Sequence, residues 1–209
     1  MAWAPAYAST SELASLVRIG DTLDDAQLSI AIETASRTID GPNGCNRQFG
    51  RVDAPEDRFY TPRWSRDARR WVEEIDDLMT TTGLVVKVDS LDDGTYPDTV
   101  TAGYVLRRPL NAAAKGRPWT ELVVHPNSSV QPTGREAGVQ VTARWGWSSV
   151  PTAIKEATLL QASRILARRD APFGVAGSPE AGSEVRLLAR LDPDVSVAVA
   201  PFRRWWGAV

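Results

Sequence analysis

Covalent catalysis in this chain would depend on one cysteine and one histidine, Cys45 and His125, because no others occur. A cysteine nucleophile needs a nearby base, and His125 is the only imidazole that the sequence offers. A single histidine cannot form a histidine-based metal site, and a single cysteine provides neither a disulfide nor a thiolate cluster. We therefore interpret His125, which precedes Pro126, as a strand-end or surface residue and Cys45 as a half-buried turn residue.

Paired carboxylates are the remaining candidates for acid–base chemistry. The pairs Asp76–Asp77 and Asp92–Asp93 are adjacent in the sequence, whereas a glycosidase needs two carboxylates that face each other across a cleft. Asp89, Asp92 and Asp93 lack the spacing of an EF-hand calcium loop. Neither a Walker A sequence nor the glycine pattern of a dinucleotide-binding turn occurs. These patterns predict a protein that is not an enzyme and that uses no cofactor or metal.

A basic cluster with interleaved aromatic residues is the best candidate for nucleic-acid binding. The cluster comprises Arg63, Arg66, Arg69 and Arg70, with Tyr60, Trp64 and Trp71. Arginine supplies phosphate contacts, and aromatic rings can stack on bases. Acidic residues follow within a few positions, namely Glu73, Glu74, Asp76 and Asp77. We therefore favour a solvated hairpin or a subunit contact at this cluster, and keep a nucleic-acid-binding module as an alternative function.

The last stretch of the chain has the residue types of an interface anchor. Asp192 is a good N-cap, Pro193 suits the first helical turn, and Pro201 should kink the helix that follows. One helical face carries Val195, Ala198, Val199, Phe202 and Trp206. Arginine and tryptophan are enriched in interface hot spots. The predicted partner-binding residues are Phe202, Arg203, Arg204, Trp205 and Trp206. Packing of residues 195–202 on their own domain is the alternative.

The composition is that of an ordinary globular protein, since 43% of the 209 residues are hydrophobic and 24% are charged. A net charge of −2 excludes a global attraction to nucleic acid or to an anionic membrane. No stretch approaches the roughly 20 apolar residues that span a bilayer. The first residues lack the basic and apolar regions of a signal peptide. We expect a protein kept in a reducing cytoplasm, or in something assembled there, with no membrane partner.

Changes of hydrophobic period divide the chain into helical and β-rich segments. Helices are predicted near residues 10–19, 22–40, 151–169 and 192–205, the first opened by a capping box at Ser9 and Glu12. Strands are predicted near Arg58–Tyr60, Arg70–Val72, Leu84–Val88, Thr101–Leu106, Glu121–Val124 and Gly138–Trp145.

This order of elements predicts an α+β fold, a helical bundle with a β-rich insertion near 58–147. The helices at 24–40 and 151–170 are expected to pair, and the helix over 154–166 is expected to be central and buried because it is apolar on several sides. We accordingly predict one domain, 1–209, made of a helical core at 1–50 plus 148–209 and a β-rich insertion at 51–147.

Three stretches of the chain resemble the head–tail connector proteins (adaptor or head-completion proteins) of long-tailed bacteriophages, especially those of phages with high-GC hosts. Each stretch is weakly specific by itself, and their order and spacing carry the resemblance across nearly the whole chain. The stretches are Trp3 to Gly50, Val139 to Pro151 with the helix to Arg169, and Arg190 to Arg204.

The resemblance implies a structural, non-enzymatic role in the virion, at the head–tail interface. Such proteins assemble in the host cytoplasm into a ring, typically a dodecamer, beneath the portal. The ring extends the DNA channel and presents a platform for the next connector, a stopper or a tail protein. The C-terminal segment typically docks on the portal protein, which would be the partner of residues 202–206.

The resemblance also suggests a role for acidic residues on the second helix. Asp24, Asp25 and Glu33 are candidates for lining the DNA channel, because an acidic or neutral lumen limits sticking of DNA as it passes without specific binding. A plain solvated helix face explains these acids equally well. Another phage connector, a stopper or tail-completion protein, is an alternative identity; the long helices predicted at both ends argue against it, since those proteins are mostly β.

Overall fold

The computed structural model describes residues 4–18, 25–170, 175–176, 185–186 and 191–205. The α-helices are α1 (Thr10–Val17), α2 (Asp25–Asp40), α3 (Thr152–Asp170) and α4 (Pro193–Val199). The first strands are β1 (Glu56–Tyr60), β2 (Arg63–Ser65), β3 (Arg70–Leu78), β4 (Val85–Val88) and β5 (Asp98–Thr99). The later strands are β6 (Tyr104–Arg107), β7 (Trp119–Val124), β8 (Val139–Ala143), β9 (Val175–Ala176) and β10 (Val185–Arg186). Short 3-10 turns occupy Ala113–Lys115 and Ala200–Phe202.

The chain divides into two compact units. Among the described residues, 50–149 form the first, which we call the β unit, and those within 4–49 and 150–205 form the second, which we call the helical unit. Within the described residues, no helix is long and apolar enough to cross a membrane.

Two antiparallel four-stranded sheets build the β unit, with strand orders β1-β8-β4-β5 and β2-β3-β7-β6. Side chains alternate along β8, which lies inside the first sheet: Val139, Val141 and Ala143 are buried, and the residues between them are half-buried. Both edges of β8 are paired, with β1 on one side and β4 on the other. The core also receives Ile75, Leu78, Val86, Val88, Leu122, Val124 and Trp145.

Two tryptophans after β8 are buried with their indole N–H groups satisfied. Trp145 donates to the Glu56 carbonyl oxygen at 2.9 Å, and Trp147 donates to the Asp77 carboxylate at 2.7 Å. Between them, Gly146 has φ +108 and donates its N–H to the Asp77 carbonyl oxygen at 2.6 Å. The buried Asp77 carboxylate therefore has a hydrogen-bond donor in the Trp147 indole, as a buried polar group requires.

The predicted fold class, an α+β helical bundle with a β-rich insertion near 58–147, is wrong. The protein is mostly β-sheet, with two antiparallel four-stranded sheets and four short helices among the described residues. The physical reason is that the strands bury a core of their own, so they do not depend on a helical bundle for burial. The pattern of elements indicated where strands occur, but it did not show how much apolar surface the strands bury in a core of their own.

The helical unit is built around α3, which packs against α1, α2 and α4. The predicted pairing of α2 with α3 is observed, and its core includes Leu13, Leu28, Ile32 and Ala162. The predicted capping box is confirmed, because the Ser9 hydroxyl accepts from the Glu12 N–H at 3.3 Å and the Glu12 carboxylate accepts from the Ser9 N–H at 2.9 Å. The helix over 154–166 was expected to be central and buried; α3 is central to this unit, but Leu160 on it is 38% exposed.

The last predicted helix is shorter than expected. Its N-cap is as predicted, since the Asp192 carboxylate accepts from the Asp194 N–H at 2.7 Å. The helix does not kink at Pro201 and continue to 205; α4 ends at Val199, a 3-10 turn follows, and Arg203 is extended. Pro201 has no N–H to continue the helical ladder, so the backbone beyond it finds partners elsewhere. Residues 19 and 22–24 of the other predicted helices lie outside the described residues.

Candidate functional site

The candidate site comprises a tight turn, residues 41–46, and the C-terminal segment that contacts it. The turn directly follows α2. Its N–H groups fold back on the helix end: Gly44 donates to the Gly41 carbonyl oxygen at 2.9 Å, and Cys45 donates to that of Ile39 at 2.7 Å. A β-carbon on Gly44 would lie 2.2 Å from the Ile39 carbonyl oxygen, so only glycine fits this approach. The turn leaves the carbonyl oxygens of residues 43–45 available to the C-terminal segment, residues 200–205.

Arg203 ties the C-terminal segment to this turn through its guanidinium. Its Nε donates to the Gly44 carbonyl oxygen at 3.0 Å, and its Nη2 donates to the Asn43 carbonyl oxygen at 3.3 Å. Nη2 also donates to the Ser196 hydroxyl on α4 at 3.2 Å. The fixed fork of donors on arginine suits several acceptors at once, so this side chain fastens both α4 and the segment after it.

Backbone bonds continue the attachment at the next residue. The Arg204 N–H donates to the Cys45 carbonyl oxygen at 2.8 Å, and the Asn46 side-chain amide donates to the Arg204 carbonyl oxygen at 3.3 Å. Phe202 packs edge-to-face on Phe49, with ring centroids 5.9 Å apart. The segment is therefore held in one conformation as far as Arg204.

Of the predicted partner-binding residues, the structure leaves one described side chain largely in solvent. Trp205 is 80% exposed, whereas Arg204 is only 7% exposed, and Phe202 and Arg203 contact their own unit. Trp206 lies outside the described residues. Val197 on α4 is 74% exposed and was not predicted, because the apolar pattern of this helix indicates its buried face only. The helical period places Val197 on the face opposite the buried residues, and this could have identified it as an exposed apolar residue.

A buried polar network lies beneath the 41–46 turn in the helical unit. The Tyr7 hydroxyl donates to the Asp40 carboxylate at 2.5 Å and accepts from the Phe49 N–H at 2.9 Å. Arg37 donates to the carbonyl oxygens of Ala4 and Pro5 at 2.8 and 2.6 Å. Burial raises the pKa of the Asp40 carboxyl from its ordinary 3.8 to about 6, although the hydrogen bond from Tyr7 and the charge of Arg37 oppose this shift.

Substitution of Asp40 by asparagine is expected to remove a pH dependence of stability in the helical unit. Because the folded-state pKa is raised, the stabilising contribution of Asp40 is complete below pH 3.8 and is lost as the pH rises through about 6. Asparagine keeps an acceptor for the Tyr7 hydroxyl and does not titrate.

The wild type should therefore lose about 1–2 kcal/mol relative to Asp40→Asn between pH 4 and 7, a value discounted for the partial exposure of the carboxyl. Urea unfolding followed by circular dichroism at each pH measures this difference. A difference that does not change with pH would contradict the expectation.

The predicted channel-lining acids are only partly described. Asp25 and Glu33 are exposed on α2, and Asp24 lies outside the described residues. Within the described ranges, neither Asp25 nor Glu33 forms an ion pair. Ile30, which is 65% exposed, lies between them on the same helix. These placements agree equally with a channel lining and with a solvated helix face.

The residues considered for catalysis and metal binding have the following positions and contacts. His125 directly follows the last residue of β7, and its carbonyl oxygen accepts from the Ser128 N–H and the Gln131 side-chain amide. The Asp89 carboxylate caps the loop after β4 by accepting from the N–H groups of Asp92, Asp93 and Gly94. Cys45 is fully buried, against the expected half-burial. No group of three or more potential metal ligands is found in the part of the chain that the structure describes.

An open pocket of about 380 Å³ lies on the β unit. Its lining residues are Thr81, Leu84, Tyr104, Val105, Leu106 and Trp119. The lining is mostly apolar, so the pocket can contact an apolar group, and the hydroxyls of Thr81 and Tyr104 are its side-chain oxygen atoms.

The basic cluster lies on the β2–β3 hairpin of the β unit. β2 is an edge strand, and Trp64 pairs with Trp71 across the hairpin. Arg63, Arg66 and Arg69 are exposed, and Arg70 is half-buried. The hairpin expected at this cluster is therefore present.

Two comparisons with known proteins give no match for this sequence. No model of a protein family matches it, and a search of curated proteins finds none that is similar. The functional conclusion therefore depends on the geometry above and on the resemblance noted in the sequence.

Proposed function

We propose that this chain is a structural protein of a long-tailed bacteriophage virion. Copies of it form a ring, a dodecamer by resemblance, beneath the portal. The ring joins the DNA-filled capsid to the tail, and genome DNA passes through it without specific binding. In this proposal the chain assembles in the host cytoplasm, becomes part of the head–tail interface, and has no enzymatic role.

The observation that carries the proposal is an exposed indole on a fixed backbone. Trp205 is 80% exposed, and the residue before it is bonded to the turn by its N–H and its carbonyl oxygen. A large aromatic side chain on a segment that is already ordered can bind a pocket without the cost of ordering the segment. This supports portal docking through Trp205, while Arg203 and Arg204 act by holding the segment in place.

The portal-docking test compares two exposed apolar residues. Trp205→Ala should weaken binding to the purified portal protein of the same genome by about 30-fold or more, which corresponds to roughly 2 kcal/mol at an interface hot spot. Leu91→Ala is the matched control, because Leu91 is 68% exposed but lies in the β unit. Biolayer interferometry with immobilised portal measures both affinities.

The expected control result is a change of less than about twofold. Equal affinities for Trp205→Ala and the wild type would overturn the docking role of Trp205. A wild-type chain that does not bind portal at all would overturn the adaptor proposal itself.

A second candidate is another phage connector, a stopper or tail-completion protein. The predominance of antiparallel sheet favours it, because long helices at both ends were the argument against it and two of the four described helices have only 8 and 7 residues. A stopper would bind beneath an adaptor ring and not to the portal. Binding to an adaptor–portal complex, without binding to portal alone, would therefore identify the second candidate.

A further inference from the structure

The acids that follow the basic cluster in the sequence do not neutralise it in the structure. Asp76 pairs with Arg58 at 2.8 Å and accepts from the Tyr60 hydroxyl at 3.0 Å. Asp77 is buried and accepts from the Trp147 indole at 2.7 Å. Both carboxylates are bonded to residues outside the hairpin, so the balance of charge along the sequence does not describe the charge at its tip.

Of the other two acids, Glu74 lies close to an arginine outside the tip, and Glu73 interacts with the tip through charge alone. Glu74 lies 3.6 Å from the Arg108 guanidinium. Burial raises the pKa of Glu73 to about 7, with Glu74 acting in the same direction and Arg63 against it, so Glu73 is only partly ionised at neutral pH. Arg63 affects Glu73 through its charge but forms no ion pair with it within the described residues.

The hairpin tip, residues 63–70, therefore carries a net positive charge that no ion pair within the described residues neutralises. Four arginines and one aspartate, Asp67, leave a net charge of +3 there. None of the four arginines takes part in an ion pair in the described ranges, whereas Arg58, Arg108, Arg135 and Arg164 all do.

The tip is also ordered by its own bonds. The Ala68 N–H donates to the Ser65 hydroxyl at 3.3 Å, and the Arg70 Nε donates to the Ala68 carbonyl oxygen at 2.8 Å. Trp64 packs edge-to-face on Trp71, with ring centroids 5.4 Å apart. This contact supports the hairpin and leaves Trp64 42% exposed. A charged two-stranded ribbon suits contact with a duplex, whose phosphates lie along both groove edges.

We propose that the tip of the β2–β3 hairpin contacts the phosphate backbone of duplex DNA without reading its sequence. The contact is electrostatic, so it weakens steeply with salt and lets DNA move along the protein. An acidic polypeptide is the competing ligand for the same charges. The proposal concerns the β unit alone and does not depend on ring formation or on the portal.

The test measures binding of the full chain to a 20-base-pair duplex of arbitrary sequence by fluorescence anisotropy, starting at low salt. The double variant Arg66→Gln/Arg69→Gln removes two exposed charges that bond to nothing else in the described residues. The control Lys87→Gln/Lys115→Gln removes two lysines elsewhere on the β unit, so both variants change the net charge from −2 to the same value.

We expect the arginine variant to weaken DNA binding by about 30-fold or more at roughly 10 mM salt, and to reduce the slope of log K against log salt by about 2. The lysine control should bind within about twofold of the wild type, since its charges lie away from the tip. Equal losses in the two variants would mean that net charge, and not the hairpin, attracts DNA, and would overturn the proposal. Poly-glutamate that binds the wild type as tightly as the duplex, at equal charge concentration, would overturn it in favour of an acidic protein partner.

Discussion

Gly44→Ala is expected to lower the free energy of unfolding of the helical unit by about 3 kcal/mol or more. A β-carbon there would lie 2.2 Å from the Ile39 carbonyl oxygen, 2.7 Å from its carbonyl carbon and 2.9 Å from its Cα. All three atoms belong to the backbone at the end of α2, so no side-chain rotation relieves the overlap. The turn that holds Arg203 and Arg204 would have to move, and the position of Trp205 with it.

Gly41→Ala is the matched control for this substitution. Its nearest neighbours would be the Thr38 and Arg37 carbonyl oxygens at 3.5 and 3.6 Å, which is ordinary contact. We expect a change within about 0.5 kcal/mol. Urea unfolding monitored by far-ultraviolet circular dichroism, which follows the helices, compares the two variants. Equal stabilities for Gly44→Ala and Gly41→Ala would contradict the close approach described for the turn.

Gly146→Ala should destabilise the β unit by about 4 kcal/mol, the largest effect expected in this protein. Two costs combine at this position. Gly146 has φ +108, which L-residues rarely adopt, and a β-carbon would lie 2.0 Å from the Gly50 carbonyl oxygen. That oxygen accepts from the Trp147 N–H at 2.8 Å, so moving it away would break a buried bond.

Gly94→Ala separates the conformational cost from the overlap. Gly94 has φ +79, but a β-carbon on it would meet nothing within 4 Å. It should therefore cost only about 1 kcal/mol, the price of a left-handed conformation. Tryptophan fluorescence reports on this unit, because Trp145 and Trp147 are both buried. If Gly146→Ala lost no more stability than Gly94→Ala, the close approach of Gly146 to the Gly50 carbonyl oxygen would be contradicted.

Local signals in the sequence predicted local structure well. The capping box at Ser9 and the N-cap at Asp192 both depend on residues within three positions, and both are present. A strand was predicted near Gly138–Trp145, and β8 is found at Val139–Ala143. These features require no knowledge of which distant segments meet.

Features decided by distant partners were not predicted. The acids at 73–77 were interpreted as countercharges to the basic cluster, but they lie on β3, where Asp76 meets Arg58 and Asp77 meets Trp147. Charges that are close in the sequence suggest that they balance one another. In a strand, however, successive side chains point to opposite faces, and contacts with distant segments determine which charges form pairs.

The candidate site shows the same division between local and distant effects. Residue types at the chain end indicated an anchor, and Trp205 is exposed as an anchor requires. The sequence did not show that Arg203 and Arg204 bond to the turn at 43–46, because that turn lies some 160 residues away. The predicted anchor of five residues is thus reduced, within the described residues, to one exposed side chain and the bonds that fix it.

Electron microscopy of the purified chain mixed with the portal protein of the same genome tests the central proposal most directly. The proposal predicts a ring of this chain stacked on the narrow end of the portal, and loss of that stacking in Trp205→Ala but not in Leu91→Ala. Portal particles that remain bare, in the presence of a folded excess of the wild-type chain, would contradict the proposed adaptor function.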